Sequence, residues 1–566
     1  MNTPIFPVPK TRRPARRTQL GRVTFLVLAG LAAWVQRAPA AASENTGLRL
    51  TIFYTSGIQG TLEPCGCNSD PLGGLDRYAT AVRAAQKRGP VLVVDGGNML
   101  FPATGMAEAK QAAGKLKARF IADQLEALGL AGSALGPGDL VAGKNQVWPR
   151  RLAANGQGAQ FRPGEIRKVG GIAVGLMGVV DVAAATASGI KVDDPLQAAE
   201  REAARLRAAG AQLLVLMAAV DRPAARKLAR RTGVDFIVLG TPNEAGLDRA
   251  DLVDKTFVVN AAAELQKAGR IDLVLRPRAG GGFEPLADAG SNETLAARRA
   301  QVASATETLG KQLALWRKEA GGDAGFIAAK QREYEALLVE QAALPRQWTP
   351  PAKGSYFTNS LIPMRRAIPQ DKKVTAAIRT LDKAIGKLNL AAATPPPKAE
   401  PGRLHYVGDE SCARCHKSEM KFWETTVHAH AWRTLVVGGK QADLECVGCH
   451  VTGYGQVGGA SLGFTKKLES VQCEVCHGPG SQHVAEEGLD EPATVHTQVP
   501  EATCIQCHNE KHSDTFNYAA YLRDILGLGH GAKERQKLGA GPTGGQLRRA
   551  AMAKARAAGS AQFKGL

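Results

Sequence analysis

The sequence predicts a layered α/β sandwich, followed by a helical hairpin and a mostly α-helical or irregular C-terminal segment. Three observations carry that prediction. From residue 47 to about residue 290, short β-branched runs alternate with helical stretches rich in Ala, Arg and Lys. Residues 293–344 are dense in Ala, Leu, Glu, Lys and Arg. All eleven histidines of the 566-residue chain lie between His405 and His530, with eight of its ten cysteines.

Taken in order, the N-terminus reads as an export signal over residues 1–43. Lys10, Arg12, Arg13, Arg16, Arg17 and Arg22 precede an apolar run from Val23 to Val35, and Ala38-Pro39-Ala40 gives a small-x-small cleavage site near Ala40. That run is short for a bilayer span, so removal is expected rather than anchoring. The mature chain is expected in the periplasm, under oxidising conditions. Residues 44–290 hold the strand candidates Leu50–Tyr54, Val91–Val94, Ile172–Leu176, Leu213–Leu216 and Phe236–Leu239. Helical stretches such as Arg77–Lys87 and Pro195–Ala209 separate them, the spacing of a layered α/β domain. Residues 291–390 are expected to be helical: a hairpin broken only around Gly321-Gly322-Asp323 and stopped by Pro345, then a helix from Asp371 to Leu388. Residues 391–403, with Pro395-Pro396-Pro397, form a stiff linker. A cysteine- and histidine-rich domain follows at 404–530, and a basic tail at 531–566.

Four runs in that domain share the pattern Cys-x-x-Cys-His: Cys412/Cys415/His416, Cys446/Cys449/His450, Cys473/Cys476/His477 and Cys504/Cys507/His508. Two thiols at this spacing can each form a thioether to one porphyrin, and the next residue brings an imidazole under the iron. Zinc knuckles and disulfides do not require a histidine directly after the second cysteine in every copy. The pattern therefore implies a c-type cytochrome with four haem c groups. Its attachment sites are 34, 27 and 31 residues apart. So few residues per haem cannot build a conventional core, and the porphyrins have to supply buried apolar surface.

The stretches Tyr406–His416, Trp423–Ala431 and Val471–His483, the last containing Cys-His-Gly-Pro-Gly-Ser-Gln-His, resemble the cytochrome c-554/c-prime family over about residues 404–516. In that family most irons carry two histidines, and the resemblance implies His428 and His483 as distal ligands. Seven histidines remain beyond the four proximal ones, enough to cap every iron; His512 and His430 are further distal candidates, followed by His405 and His496. His530, in the basic tail, is set aside. Met420 is the one methionine inside the segment, so His/Met ligation is open to one haem at most.

A second resemblance covers the N-terminal part. Ile52–Pro64 followed by Gly73-Gly74-Leu75-Asp76-Arg77, then Val94–Asn98, Leu135–Asp139 and Val234–Asn243, are similar in order to blocks of the 5'-nucleotidase branch of calcineurin-like metallophosphoesterases. The resemblance implies that fold, but the positions of the family's two-metal ligands hold Gly57, Gln59, Asn98, Pro137, Gly138, Thr241 and Asn243, the last two following Gly240. Residues 1–404 contain no histidine at all. A two-metal site activates water with carboxylates and imidazoles around two cations, so hydrolysis by the family mechanism is not expected. Cys65-Gly66-Cys67, just after the first strand, is a candidate redox pair; a small structural disulfide or two inert thiols are the alternatives.

The formal charge is +20. The first 43 residues hold seven Lys or Arg and no acid, leaving +13 after cleavage, and the propionates of four haems would bring this to about +5. In the tail from Gly531, eight Lys or Arg face Glu534 alone. Such a tail is a solvated helix or disordered end, or a docking patch for an acidic redox partner or a membrane surface. Nucleic acid is not an expected partner. Three functions compete: an electron carrier working with periplasmic redox proteins, a redox enzyme acting on a small nitrogen or sulfur compound through an open haem or the Cys65/Cys67 pair, and a nucleotide phosphohydrolase. The histidine-free N-terminal part argues against the third.

Overall fold

A computed structural model describes residues 47–563, apart from 65, 103, 141–149, 244, 291, 319–323 and 490–493. The export signal and Cys65 lie outside the described residues. Among the described residues, twelve strands form two six-stranded sheets. They are β1 (Leu48–Thr55), β2 (Val91–Asp95), β3 (Leu130–Ser133), β4 (Gly164–Val169), β5 (Ile172–Val179), β6 (Leu213–Ala218), β7 (Phe236–Leu239), β8 (Asp251–Val253), β9 (Thr256–Val259), β10 (Lys267–Leu275), β11 (Leu286–Asp288) and β12 (Ser355–Pro363). One sheet runs β11-β12-β10-β1-β2-β3 and the other β4-β5-β6-β7-β9-β8.

The expected layered sandwich forms because the central strands are apolar on both faces. All of Leu213–Ala218 and Phe236–Leu239 are buried, as parallel strands covered on two sides require. Ile52, Tyr54, Leu92 and Val94 of the first sheet pack against Leu176, Val215, Met217 and Val238 of the second. The opposite face of the first sheet is covered by helices Leu75–Gln86, Glu108–Ala127 and Lys372–Ala391. Helices Pro195–Ala208 and Arg222–Thr232 cover the second. Asp194, Asp221 and Asp371 cap three of these helices by accepting from backbone N–H groups of the first turn.

The hairpin of Asn292–Trp316 and Ala324–Ala343 matches expectation, its Gly321–Asp323 break lying outside the described residues. The segment 291–390 is not wholly helical, however. It contributes β12, which pairs antiparallel with β10 from Tyr356↔Val274 to Pro363↔Lys267, so the first sheet draws on residues well beyond 290. The basic tail forms helices Ala532–Lys537 and Gly544–Phe563. Among the described residues no helix is long and apolar enough to cross a membrane.

Among the described residues, 404–530 form short helices, turns and isolated bridges around a small apolar cluster, Val447, Val451, Ala460 and Leu462. Large apolar side chains stay exposed there: Val427 at 79%, Val437 at 82%, Leu489 at 81% and Leu528 at 89%. A segment this poor in core of its own needs apolar surface from another source.

Candidate functional site

Each of the last three Cys-x-x-Cys-His motifs ends on an imidazole whose Nδ1 is already engaged. His450 Nδ1 faces the Ala431 carbonyl at 2.7 Å, His477 Nδ1 the His496 carbonyl at 2.5 Å, and His508 Nδ1 the Ser513 hydroxyl at 3.1 Å. A partner of this kind fixes the tautomer and leaves Nε2 free for a metal. Burial pushes the pKa values of His477 and His508 down, so the rings favour the neutral, ligating form.

Three of the four motif imidazoles face a second imidazole. His416 and His483 have ring centroids 6.3 Å apart and nearly parallel planes at 23°. His428 and His508 are 6.0 Å apart at 40°, and His477 and His530 are 6.1 Å apart at 89°. Two imidazoles bonded at roughly 2 Å to opposite faces of one metal ion have centroids roughly 6 Å apart. The separations thus suit one iron between each pair, and the exposed apolar side chains nearby suit a porphyrin's faces. Burial, and secondarily His508, push the His428 pKa down to about 4. Among the described residues no second imidazole ring faces His450.

The structure thus brings two of the expected distal candidates, His428 and His483, opposite motif histidines. His430 follows His428 in a short turn of helix and makes no ring contact among the described residues. His512 sits half-buried in the turn after His508, its N–H directed at Asn509 Oδ1 at 3.2 Å. His405 supports the site differently: its backbone N–H donates to Ser481 Oγ at 3.0 Å, at the start of the helix that carries His483.

His530 is the residue that the sequence reading passed over. It stands in a tight turn, Gly527-Leu528-Gly529-His530-Gly531, that docks on helix Lys417–Trp423. A Cβ at Gly527 would meet Phe422 at 2.3 Å, and Gly529, at φ 83°, could carry one only 2.6 Å from the Ser418 carbonyl. The His530 ring stacks on Phe422, and its Nδ1 contacts the Ile525 carbonyl at 3.0 Å. The signal available in sequence was the glycine on either side, which marks a turn rather than a solvated tail.

The cysteines define an order in space. The Cys412 thiol is pushed up by its hydrogen bond with Cys473, and the Cys507 thiol by its hydrogen bond with Cys449. Burial, and then nearby Cys504, push Cys476 up to about 11. The four attachment sites therefore adjoin one another in the order first, third, fourth, second.

One of the eight expected attachment thiols departs from the rest. Cys412, Cys446, Cys449, Cys473, Cys476, Cys504 and Cys507 are half-buried, whereas Cys415 is exposed to solvent. Its place as an expected attachment thiol rests on the Cys-x-x-Cys-His motif and stands unchanged. The reason for its exposure is local. Cys415 stands in the turn between helices Asp409–Cys412 and Lys417–Trp423, flanked by Arg414 and His416, which are exposed as well.

At the carboxyl ends of β1, β2, β3 and β7, four loops meet backbone to backbone. A Cβ at Gly240 would lie 2.1 Å from the Gly96 carbonyl, which explains glycine there. Asn98, at φ 56°, donates through Nδ2 to Gly240 O at 3.1 Å and accepts from Gly138 N–H at 2.8 Å. Thr241 donates to Val220 O at 2.5 Å, and Asn243 accepts from Ala245 and Gly246 N–H groups. Beneath them Arg151 pairs with Asp139 at 3.0 Å, both side chains essentially unexposed. Asp95 is held by Thr55, Ser133 and the Gly97 N–H. No group of three or more His, Cys, Asp or Glu that could hold a metal ion occurs among the described residues.

The two parts touch at this same end. Lys440 bridges Glu63 and Asp382 at 2.8 and 2.9 Å, and Lys511 meets Glu264 at 3.0 Å. Asp514 accepts from the backbone and hydroxyl of Ser69. Arg548 donates to the Cys67 carbonyl at 2.5 Å.

Residues 411–478 match the family described as cytochrome c554 and c-prime. Cytochrome c-554 of Nitrosomonas europaea is 37% identical over 91 residues, 13% of this chain and 39% of that protein, so the chain spans well under half of the relative's length. The reduced-state structure of that cytochrome aligns at 28% identity over 20% of this chain and 66% of its own, with a TM-score of 0.15. A 5'-nucleotidase precursor from Thermus thermophilus aligns over 69% of this chain and 68% of its own at 16% identity and a TM-score of 0.40. The sulfate thiohydrolase SoxB of the same organism, in complex with glycerol, aligns over 62% of each chain at 15% identity and a TM-score of 0.41. The C-terminal match supports a c-type cytochrome segment, joined here to a layered α/β domain.

Proposed function

We propose that this chain is an exported, periplasmic electron carrier holding four haem c groups, joined to a phosphoesterase-like domain that has lost its metal ligands. The observation that carries the reading is the set of three imidazole pairs at 6.0–6.3 Å, each with one member from a Cys-x-x-Cys-His motif. Cys412/Cys415, Cys446/Cys449, Cys473/Cys476 and Cys504/Cys507 would hold the porphyrins, and His416, His450, His477 and His508 the irons from the proximal side. His483, His530 and His428 would be the distal ligands of the first, third and fourth sites. Bound haem supplies reversible one-electron exchange, and contiguous attachment sites suit passage along the series. Its partners would be periplasmic redox proteins, with the basic tail available for an acidic partner or membrane surface. Mass spectrometry of the purified mature chain should show four added haem masses; two or fewer would sink the assignment.

In the α/β domain, the side chains at three former ligand positions, Asn98, Thr241 and Asn243, are spent on local backbone bonds. Buried Arg151 brings its own positive charge to the Asp139 carboxylate. Both observations support a scaffold that has outlived its catalytic site.

A second reading, a redox enzyme, is favoured by one observation: no second imidazole faces His450 among the described residues. An open position there would admit a small nitrogen or sulfur compound. Added cyanide or nitric oxide should then perturb the spectrum of one haem in four, and no perturbation would leave only the carrier. The Cys65/Cys67 pair is the other route, since Arg548 reaches the Cys67 carbonyl and Asp514 holds Ser69. Thiol labelling of the pair across a redox titration should follow its oxidation state if it cycles, and stay constant if the bridge is static.

A further inference from the structure

Among the ring nitrogens described above, His508 Nδ1 differs in its partner. His477 and His530 each place Nδ1 on a backbone carbonyl, and His450 does so at 2.7 Å with the Thr434 hydroxyl further off at 3.3 Å, whereas His508 has no carbonyl partner there and uses the Ser513 side chain, itself only 5% exposed. Ser513 Oγ lies 3.1 Å from the Tyr521 hydroxyl, which lies 3.0 Å from Thr515 Oγ1. The ring is further fixed by Phe516, parallel at 5.3 Å, and by Tyr521, edge-on at 5.1 Å.

If Nε2 holds an iron, Nδ1 carries the proton and must donate to Ser513 Oγ. In the relay the Ser513 hydroxyl then donates to Tyr521 and Tyr521 to Thr515, one of the two directions that each hydroxyl pair allows. Hydrogen bonds chained this way polarise one another, so each hydroxyl further along makes Ser513 a stronger acceptor. A stronger acceptor on Nδ1–H makes the imidazole a stronger electron donor through Nε2 and favours the oxidised metal. A carbonyl acceptor is fixed by the fold, whereas this one is set by three side chains.

Resting on the tetrahaem reading, we propose that Ser513 and Tyr521 are positioning residues for His508, forming a hydroxyl relay that sets the redox potential of the fourth site apart from its neighbours. The test is an optical redox titration of the full-length haem-loaded protein, with four haem masses verified in each variant. Ser513→Ala moves one of the four transitions to higher potential and leaves three in place. Tyr521→Phe moves the same transition the same way by less, Ser513→Thr restores it, and Ser513→Asp, supplying a carboxylate acceptor, moves it downward. Four unchanged transitions in Ser513→Ala and Tyr521→Phe, or a uniform shift of all four, would overturn the relay while leaving the tetrahaem reading intact. Two or fewer haem masses on the unmodified chain would overturn that reading, and the proposal with it.

Discussion

Replacing His530 by alanine is expected, on the tetrahaem reading proposed above, to open one coordination position at the third attachment site while the haems stay covalently bound. The thioethers there would be made by Cys473 and Cys476, and the proximal imidazole by His477, none of which depends on His530. The His530 ring lies 6.1 Å from His477 across the space an iron would occupy, its plane turned by 89°. Without it, one low-spin iron becomes high-spin and gains affinity for cyanide and free imidazole. Its potential rises, because an iron with two imidazoles is held lower than one with a weaker second ligand. Electron paramagnetic resonance of the oxidised protein should show one additional high-spin iron in His530→Ala, removed again by added imidazole. His430→Ala, at a ring with no imidazole partner among the described residues, should leave the spectrum unchanged. An unaltered spectrum in His530→Ala would mean that the third site takes its second ligand elsewhere.

What was legible in the sequence was what is local. The four Cys-x-x-Cys-His runs declare themselves within five residues each, though not how enclosed each thiol is: Cys412 is half-buried and Cys415, three positions on, is exposed. Fully apolar runs such as Leu213–Leu216 and Phe236–Leu239 can only be buried strands. The helix after Asp371 was legible because its capping carboxylate precedes a run of good helix formers. Strand Ser355–Pro363 was not, because it ends in proline, mixes polar with apolar residues, and finds its partner β10 on the far side of the helical hairpin. The distal ligands were partly hidden for the same reason. His428 follows closely on the His416 motif yet pairs with His508, far along the chain. His530 reaches His477 only because Gly527 and Gly529 let its turn lie against Phe422 and Ser418. Asp514 meets Ser69 across 445 residues, a contact no local pattern encodes.

The largest effect expected in the α/β domain comes from Arg151→Leu, which should cost about 3–5 kcal/mol of stability, the range for stranding one partner of a buried ion pair. Arg151 lies 3.0 Å from Asp139 Oδ2 as an ion pair, and donates to Asp139 Oδ1 at 3.3 Å and to the Ala134 carbonyl at 3.1 Å. Asp139 also accepts from the Leu100 and Gly136 N–H groups, so its carboxylate cannot turn away when the guanidinium is lost. The cost should depend on pH with a definite sign. Burial, and then Asp139, push the Asp95 carboxyl up to about 7, while Arg151 works against that rise. A raised carboxyl pKa means that the folded state keeps its proton where the unfolded chain has lost it. The stability that this contributes is present below about pH 4 and is lost as pH climbs through about 7. Above that point two buried carboxylates share one cation, so removing Arg151 should hurt more at about pH 8 than at about pH 6. Urea midpoints followed by circular dichroism at the two pH values would show it. The double replacement Arg151→Leu with Asp139→Leu should recover part of the loss at about pH 6, where Asp95 keeps its proton, the remainder being the Leu100 and Gly136 N–H groups left without their acceptor. Added manganese or zinc should neither stabilise the unmodified protein nor elicit phosphate release from a mononucleotide. Either effect would mean that the loops around Asn98 still bind metal despite the bonds that occupy them.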